Sequence, residues 1–554
     1  MHFFLTYVEE IGFRFSPFPE MDKHFFKKDT EFLNIGLPLA FLETIVPKTM
    51  SKHNIKEKLN KKFKFQGNSS GLRGCEWQKA GNMTGSVDFE GGDKTGDFDL
   101  YIRGHQITEN ELERLAVQIK ADPEAIKRLV HMRVLMGWGE WIPAVRLEGK
   151  RWRCQRCGET ELEEWPGVWG MMETCRSCSS LGASSSQQVS YRDKRGLGKE
   201  TEPVCFDLQP SLTLAQKRAS SQVLEFVRHS QLNEALLWAA CGAGKTEVCF
   251  TSAAWALKEG KSVLFAAPRQ DVIHDVAPRL QRNFPGLQFQ VLSGRNPVKY
   301  QKGTLVLATT HQILRFYQAF DLVFLDEMDA FPYKGSRILQ WGLKQALSAG
   351  GKILYLTATP SEAVLRRNNE EGKNLIRLPA RYHRYPLPVP EWLKFRFLPE
   401  KPKLTENLIV WLQNMVSQGV TIIFVPKISW VLPLVNYLRI KYPGWRIEGS
   451  YSSDPARKQK IEGLVKGNYC LFICTSILER GVTIPNAQVI VLAADHPVFD
   501  ERALVQMAGR AGRTKEHPVG MVLFVSGRKI PAVFKAINWI KEQNSFAANL
   551  GLID

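Results

Sequence analysis

From about Phe206 onward, short apolar runs alternate with longer stretches of helical spacing, the rhythm of a parallel sheet covered by helices on both faces. Residues 236–240, 262–267, 289–292, 304–308, 322–325 and 353–356 read as strands of one sheet. Residues 421–425, 470–474, 488–493 and 521–525 read as strands of a second. Between the two sets, residues 378–402 hold Pro379, Pro386, Pro388, Pro390, Pro399 and Pro402, which exclude a continuous helix. The pattern predicts two α/β lobes, 206–377 and 403–554, joined by a proline-rich linker over 378–402.

Upstream the pattern changes. Apolar residues recur at helical spacing from Ile107 to Met136, with Thr108-Glu109-Asn110-Glu111 as a start signal and a break near Gly137-Trp138-Gly139. This predicts a small helical support over 101–150. Residues 1–100 contain a basic run at 52–65 followed by Gly-, Asn- and Ser-rich sequence to about Gly96, which reads as a solvated, partly flexible region without an assigned role. Residues 181–205, with Ser, Gln, Gly and mixed charge, read as a linker.

Composition narrows the partners. At 554 residues the chain has room for three or four units of roughly 150 residues each. Lys and Arg number 74 against 56 Asp and Glu, a formal charge of +18 that favours polyanions, nucleic acid first among them. No apolar run reaches the ~18 residues of a membrane-spanning helix. The N-terminal HFFLTYV run has no preceding Lys or Arg and meets Glu9-Glu10 at once, so it does not read as a secretory signal and a cytoplasmic protein is expected.

Four of the ten cysteines form two pairs, Cys154-Gln-Arg-Cys157 and Cys175-Arg-Ser-Cys178, separated by 17 residues. That is the spacing of two knuckles around one Zn²⁺, and four thiolates leave the ion no open position for catalysis. The module spans 151–180. Arg151, Trp152, Arg153, Arg156, Trp165, Trp169 and Arg176 surround it. Such residues suit phosphate contact and base stacking, and tryptophans equally fill the small core of a zinc ribbon.

The first predicted strand runs into Gly242-Ala243-Gly244-Lys245-Thr246. In that context the backbone N–H groups cradle a polyphosphate, Lys245 neutralises its outer phosphates and the Thr246 hydroxyl holds Mg²⁺. The first position of the usual GxxxxGK[ST] pattern is Ala239 here, yet each chemically active group is kept. Another strand ends in Asp326-Glu327-Met328-Asp329, where Asp326 is placed to take Mg²⁺ and Glu327 to orient the attacking water. Thr357-Ala358-Thr359 forms a hydroxyl-rich turn. In the second lobe Gln506-Met-Ala-Gly-Arg510-Ala-Gly-Arg513 places two arginines three apart along a helix, and so on one face, able to reach a γ-phosphate across a cleft.

Taken in order, AACGAGKTE, APRQ, ATTHQ, DEMD, TATPS, TSILERGVTIP and QMAGRAGR resemble the superfamily 2 helicases and translocases over about 206–530. The resemblance implies two RecA-like lobes that close on ATP and grip a nucleic-acid strand. It further implies that Gln216 reads adenine, that Pro268, Arg269, Thr309, Thr310, Thr475 and Gly481 line the strand path, and that Thr357, Thr359 and Gln506 couple the lobes. Thr483 stands where many relatives carry an acid. DEMDAFP, SILERGVTIP and a four-cysteine module ahead of the phosphate loop look most like the ComFA family. That likeness implies an ATP-driven single-stranded DNA translocase for uptake of transforming DNA, partnered by a ComFC-like protein and a membrane DNA channel, at the inner face of the membrane. PriA helicases are similar in GKTEV and AGRAGR, with their zinc ligands after the phosphate loop. A zinc-ribbon nucleic-acid binder with an idle motor is the non-enzymatic alternative.

Overall fold

The computed structural model describes residues 1–9, 11–33, 37–45, 77–79, 94–198, 203–294, 296, 298–301, 303–370, 374–398, 403–478 and 483–554. The basic run 52–65 and Gly481 lie outside the described residues.

Seven strands form the first lobe: β1 (Glu234–Ala239), β2 (Val263–Ala267), β3 (Phe289–Leu292), β4 (Leu305–Thr309), β5 (Phe320–Asp326), β6 (Leu347–Thr357) and β7 (Asn374–Leu378). They are parallel throughout, in the order β3-β4-β2-β5-β6-β1-β7. Strands buried on both faces read as near-continuous apolar runs, and all of β2 and β4 is buried. The second lobe holds β8 (Glu391–Lys394), β9 (Val420–Phe424), β10 (Ile447–Ser450), β11 (Leu471–Cys474), β12 (Ala487–Leu492) and β13 (Val522–Ser526), parallel in the order β8-β13-β12-β9-β11-β10. These are the two parallel-sheet, RecA-like lobes that the motif order implied.

Three of these strands were hidden in the sequence. β7 follows a charged helix, β10 is only Ile-Glu-Gly-Ser, and β8 sits inside the proline-rich segment. The predicted linker over 378–402 is therefore partly built into the second sheet, because β8 is an edge strand, where proline neighbours are tolerated. The C-terminal helix Pro531–Asn549 returns to the first lobe. The Trp539 ring lies 6.3 Å from Trp238 of β1, and Arg377 of β7 stacks 4.4 Å from Trp238 and 4.0 Å from Phe546.

The described residues of the N-terminal third hold further sheets and helices. Gly12–Ser16, Phe4–Val8, Thr30–Leu33 and Trp77–Lys79 form a four-stranded antiparallel sheet. The helical support splits into Glu109–Ile119 and Pro123–Leu135, divided where Pro123 starts a new helix capped by Asp122. Residues Val189–Asp193, inside the expected 181–205 linker, form the central strand of a sheet with Gln106–Thr108 and Gly139–Pro143. Every residue of that strand is buried. Its polar residues masked it, since Asp193 accepts from the Tyr191 hydroxyl at 2.8 Å and the Arg192 guanidinium donates to the Gln155 carbonyl.

Candidate nucleotide pocket and nucleic-acid interface

A cavity of about 780 Å³ opens between the lobes, at the carboxyl ends of β1 and β5, where parallel sheets bind ligands. Gly242, Ala243, Gly244, Lys245, Thr246, Gln216, Asp326 and Glu327 line it from the first lobe, and Thr483, Gln506, Arg510 and Arg513 from the second. Gly242 and Gly244 have φ of +82° and +81°, the left-handed region that glycine enters without strain. A methyl on Gly244 would lie 2.4 Å from Gln216 Nε2, which donates to the Ala243 carbonyl at 2.9 Å. Gln216 is held there by a reciprocal capping box with Thr213.

Lys245 Nζ lies 3.2 Å from Asp326 Oδ1, so the loop lysine is paired with the carboxylate. The Asp326 carboxylate also accepts the Glu327 N–H at 2.8 Å, and Glu327 takes a φ of +53°, a costly conformation of the kind that clusters at functional sites. Beyond them Asp329 accepts from both Thr357 and Thr359 hydroxyls, at 2.7 and 2.8 Å. Gln506 of the second lobe donates to Thr359 Oγ1 at 3.3 Å and accepts from the Cys241 thiol at 3.6 Å. An unbroken chain thus runs from the acidic turn to the second lobe.

Arg510 and Arg513 do not share a helical face. The helix Glu501–Ala508 ends before them, and they lie in the turn that Gly509 and Gly512 (φ +60°) shape. The turn presses onto the phosphate loop, since a methyl on Gly509 would meet Cys241 Cβ at 2.5 Å. Arg510 is buried, and Arg513 Nε has no hydrogen-bond partner among the described residues. Burial pulls the Arg513 guanidinium below its usual range. Cations held out of water beside a phosphate cradle favour a polyphosphate with Mg²⁺, and ATP fits these donors: the glycine loop and Lys245 for the phosphates, Thr246 and Asp326 for the metal.

The four cysteines meet at one point. Their sulfurs all lie within 4.8 Å of one another and are buried. Cys154–Cys178, Cys157–Cys175 and Cys175–Cys178 separations are 3.7, 3.5 and 3.8 Å. A tetrahedron with Zn–S bonds of about 2.3 Å has edges of about 3.8 Å, so the cluster has the size of a four-thiolate zinc site. The surrounding cations are largely committed to structure. Arg156 donates to Glu111 at 2.6 Å, and Arg153 stacks 5.4 Å from Trp341 of the first lobe. Trp152 packs into the core and Trp169 against His2. Arg151 and Arg176 remain exposed, Arg176 over Trp165 and paired with Glu163. Arg156 is thus unavailable to nucleic acid.

A second cleft, also about 780 Å³, crosses both lobes. Pro268, Arg269 and Thr309 line it, whereas Thr310 is buried beneath, and Thr475 directly precedes the lining residues Ser476 and Ile477. Sequence reasoning missed Lys299, Arg315 and Arg457, which supply most of its positive charge, and Ser180-Leu181 of the zinc module, which form one wall. Arg315 is held by Glu111, which also takes Arg156. Burial pushes the Glu111 carboxyl up, but the Arg156 and Arg315 guanidinium groups outweigh it and hold it below the usual carboxylate range. Glu111 announces itself only as the N3 residue of a capping box with Thr108, and nothing local foretells its two arginines. At the nucleotide pocket Tyr382 and His383, with Arg381 beside them, were likewise unforeseen, because all three fall in the proline-rich segment.

Comparison with known proteins agrees with this architecture. Residues 209–362 match the model described as Type III restriction enzyme, res subunit, and residues 400–515 the Helicase conserved C-terminal domain. The competence protein ComFA of Bacillus subtilis (strain 168) is 34% identical over 422 residues, 74% of this chain and 89% of its own. ComFA of Streptococcus pneumoniae (strain ATCC BAA-255 / R6) is 33% identical over 413 residues, 74% of this chain and 94% of its own. A solved structure of S. cerevisiae Dbp5 bound to RNA and ADP BeF3 aligns over 60% of this chain and 88% of that one, at 19% identity and a TM-score of 0.45. With two helicase lobes, a buried four-cysteine cluster ahead of them and this identity along nearly the whole length of the relatives, the chain belongs to the ComFA family of superfamily 2 helicase-like proteins.

Proposed function

We propose that the protein is an ATP-driven motor on single-stranded DNA that draws transforming DNA into the cell during competence. The observation that carries this is the interlobe pocket, in which a phosphate loop, two acids and two arginines converge from opposite lobes. Such a site is complete only when the lobes close, so hydrolysis is tied to relative lobe movement. Lys245, Thr246 and Asp326 bind the nucleotide and its metal, Glu327 orients water, and Arg510 and Arg513 stabilise transition-state charge. Bound ATP with Mg²⁺ supplies the phosphoryl group whose transfer to water drives the cycle.

The basic cleft spanning both lobes fits a strand, because each lobe contributes cations to it: Arg269, Lys299 and Arg315 from one, Arg457 from the other. Among the described residues no helix is long and apolar enough to cross a membrane. Work at a membrane channel would then pass through partners, with a ComFC-like protein and the channel itself as the partners the family suggests. Cys154, Cys157, Cys175 and Cys178 would hold zinc as a structural ion, with Ser180-Leu181 close behind Cys178 in the cleft wall. The test is ATPase activity measured with single-stranded DNA, forked duplex and RNA as separate stimulants. Strong stimulation by single strands supports the reading. A preference for forks would point to a restart helicase of PriA type, and no stimulation by any of them would refute a nucleic-acid motor.

A further inference from the structure

Arg381 is one of the largest fully buried side chains of the protein, 2% exposed, and no acidic partner meets it among the described residues. Its guanidinium is bonded instead to four backbone carbonyls. Nε donates to the Cys241 carbonyl at 2.9 Å, at the entrance of the phosphate loop. One terminal nitrogen donates to the carbonyls of Ala511 (2.8 Å) and Gly512, and the other to Gly509 at 3.1 Å. Two neighbours in the connector clasp the same turn: His383 Nε2 lies 3.1 Å from the Gly512 carbonyl, and the Tyr382 hydroxyl donates to the Arg513 carbonyl at 3.4 Å.

This arrangement has a direction. Arg381 follows β7 by three residues, and the Leu378 carbonyl accepts the Ala240 N–H at 2.8 Å, so its backbone is tied to the first lobe beside the phosphate loop. Three of its four acceptors are carbonyls around Arg510 and Arg513 in the second lobe. A guanidinium presents its five N–H donors in a rigid planar fork, which can span such a set where a lysine ammonium cannot. A Cβ built on Gly242 would have Arg381 Nε at 3.6 Å and Arg513 Nε at 3.7 Å, so one residue separates the two cations from the phosphate cradle. Burial, and then the neighbouring Arg513, push the Arg381 guanidinium down to about 9.

We propose that Arg381 is a positioning residue for hydrolysis, which bridges the phosphate loop to the glycine-arginine turn and thereby places Arg513 against the outer phosphates when the lobes close. The inference rests on the motor reading of the same pocket. It requires that Arg381 act through Arg513 and not as a general support of the fold.

The test is a double-mutant comparison of single-stranded-DNA-stimulated ATPase in the full chain: Arg381→Gln, Arg513→Ala and the pair, with Arg381→Lys as a second variant at the same site. Thermal melting checks each for folding. Both Arg381 variants are expected to lose roughly tenfold or more in kcat with KM for ATP changed less than about threefold. The pair should be no slower than Arg513→Ala alone, since the interaction to be lost is already gone. Multiplying effects in the pair, or a raised KM at unchanged kcat, would overturn the proposal. If Arg381→Gln fails to fold, Arg381→Lys is read in its place, and wild-type kcat in that variant likewise overturns it. Failure of the motor reading looks different, because wild-type protein would then lack stimulated turnover altogether.

Discussion

The two clefts between the lobes have the same volume and opposite construction. The nucleotide pocket is made of groups locked in place: glycines at positive φ, a lysine resting on Asp326, and Arg381 fixed by four carbonyls. The strand cleft is lined by the partly exposed Arg269, Lys299 and Arg457, the buried Arg315 and small hydroxyls, and its walls come from three parts of the chain, the zinc module among them. The difference suits the ligands proposed for the two clefts. A triphosphate in a hydrolytic transition state demands fixed geometry, because preorganised charge costs nothing at the moment of reaction. A moving strand demands contacts that release and re-form, which backbone phosphates offer to any sequence.

Several changes should separate the clefts. Lys245→Ala should abolish detectable ATP hydrolysis while single-stranded DNA binding persists, measured by coupled ATPase assay and fluorescence anisotropy. Loss of both would show that the clefts are not independent. Arg513→Ala should lower kcat on the order of 10³-fold, the weight of an arginine supplied across an interface. A fall confined to ATP affinity would remove it from the transition state.

Cys154→Ser should cost the bound zinc and several kcal/mol of stability of the N-terminal module, because a three-sulfur site is left. Elemental analysis and melting check this, and DNA affinity should drop with the zinc if Ser180-Leu181 form a true wall. His105 gives a pH test of the same junction. It is buried, its Nδ1 lies 2.8 Å from the Arg103 carbonyl, and its ring sits 4.5 Å from Phe316. Burial pulls it down to about 4, so the unfolded chain, with its histidine near 6.5, binds the extra proton first. The resulting stability is present above pH 6.5 and lost as pH falls through 4, up to about 3 kcal/mol. In His105→Gln that share of the acid slope should disappear from denaturant titrations.

The smallest expected effect concerns the cleft's partly exposed cations. Arg269→Ala combined with Lys299→Ala should weaken DNA binding and lower the slope of log affinity against log salt by about 1 for each phosphate contact removed. An unchanged slope would move the strand elsewhere.

Much of this was legible along the chain, because it depends on neighbours in sequence. The apolar runs marked ten of the thirteen lobe strands, and the glycine-lysine loop, the acidic strand end and the paired cysteines each place their groups within a few residues. Local spacing is enough for a turn that cradles phosphate or for two sulfurs on one knuckle. It was not enough for the strand Val189–Asp193, whose polar residues are satisfied by partners elsewhere, or for the arginine turn, where helix propensity yields to Gly509 and Gly512. Nor could spacing reveal Arg381 and Glu111, buried charges whose partners lie 130 and 204 positions away. The sequence by itself determined two phosphate-handling lobes and a metal-sized thiol cluster. Only the tertiary structure decided which charges are buried against which, because desolvation belongs to the packed interior and not to any stretch of chain.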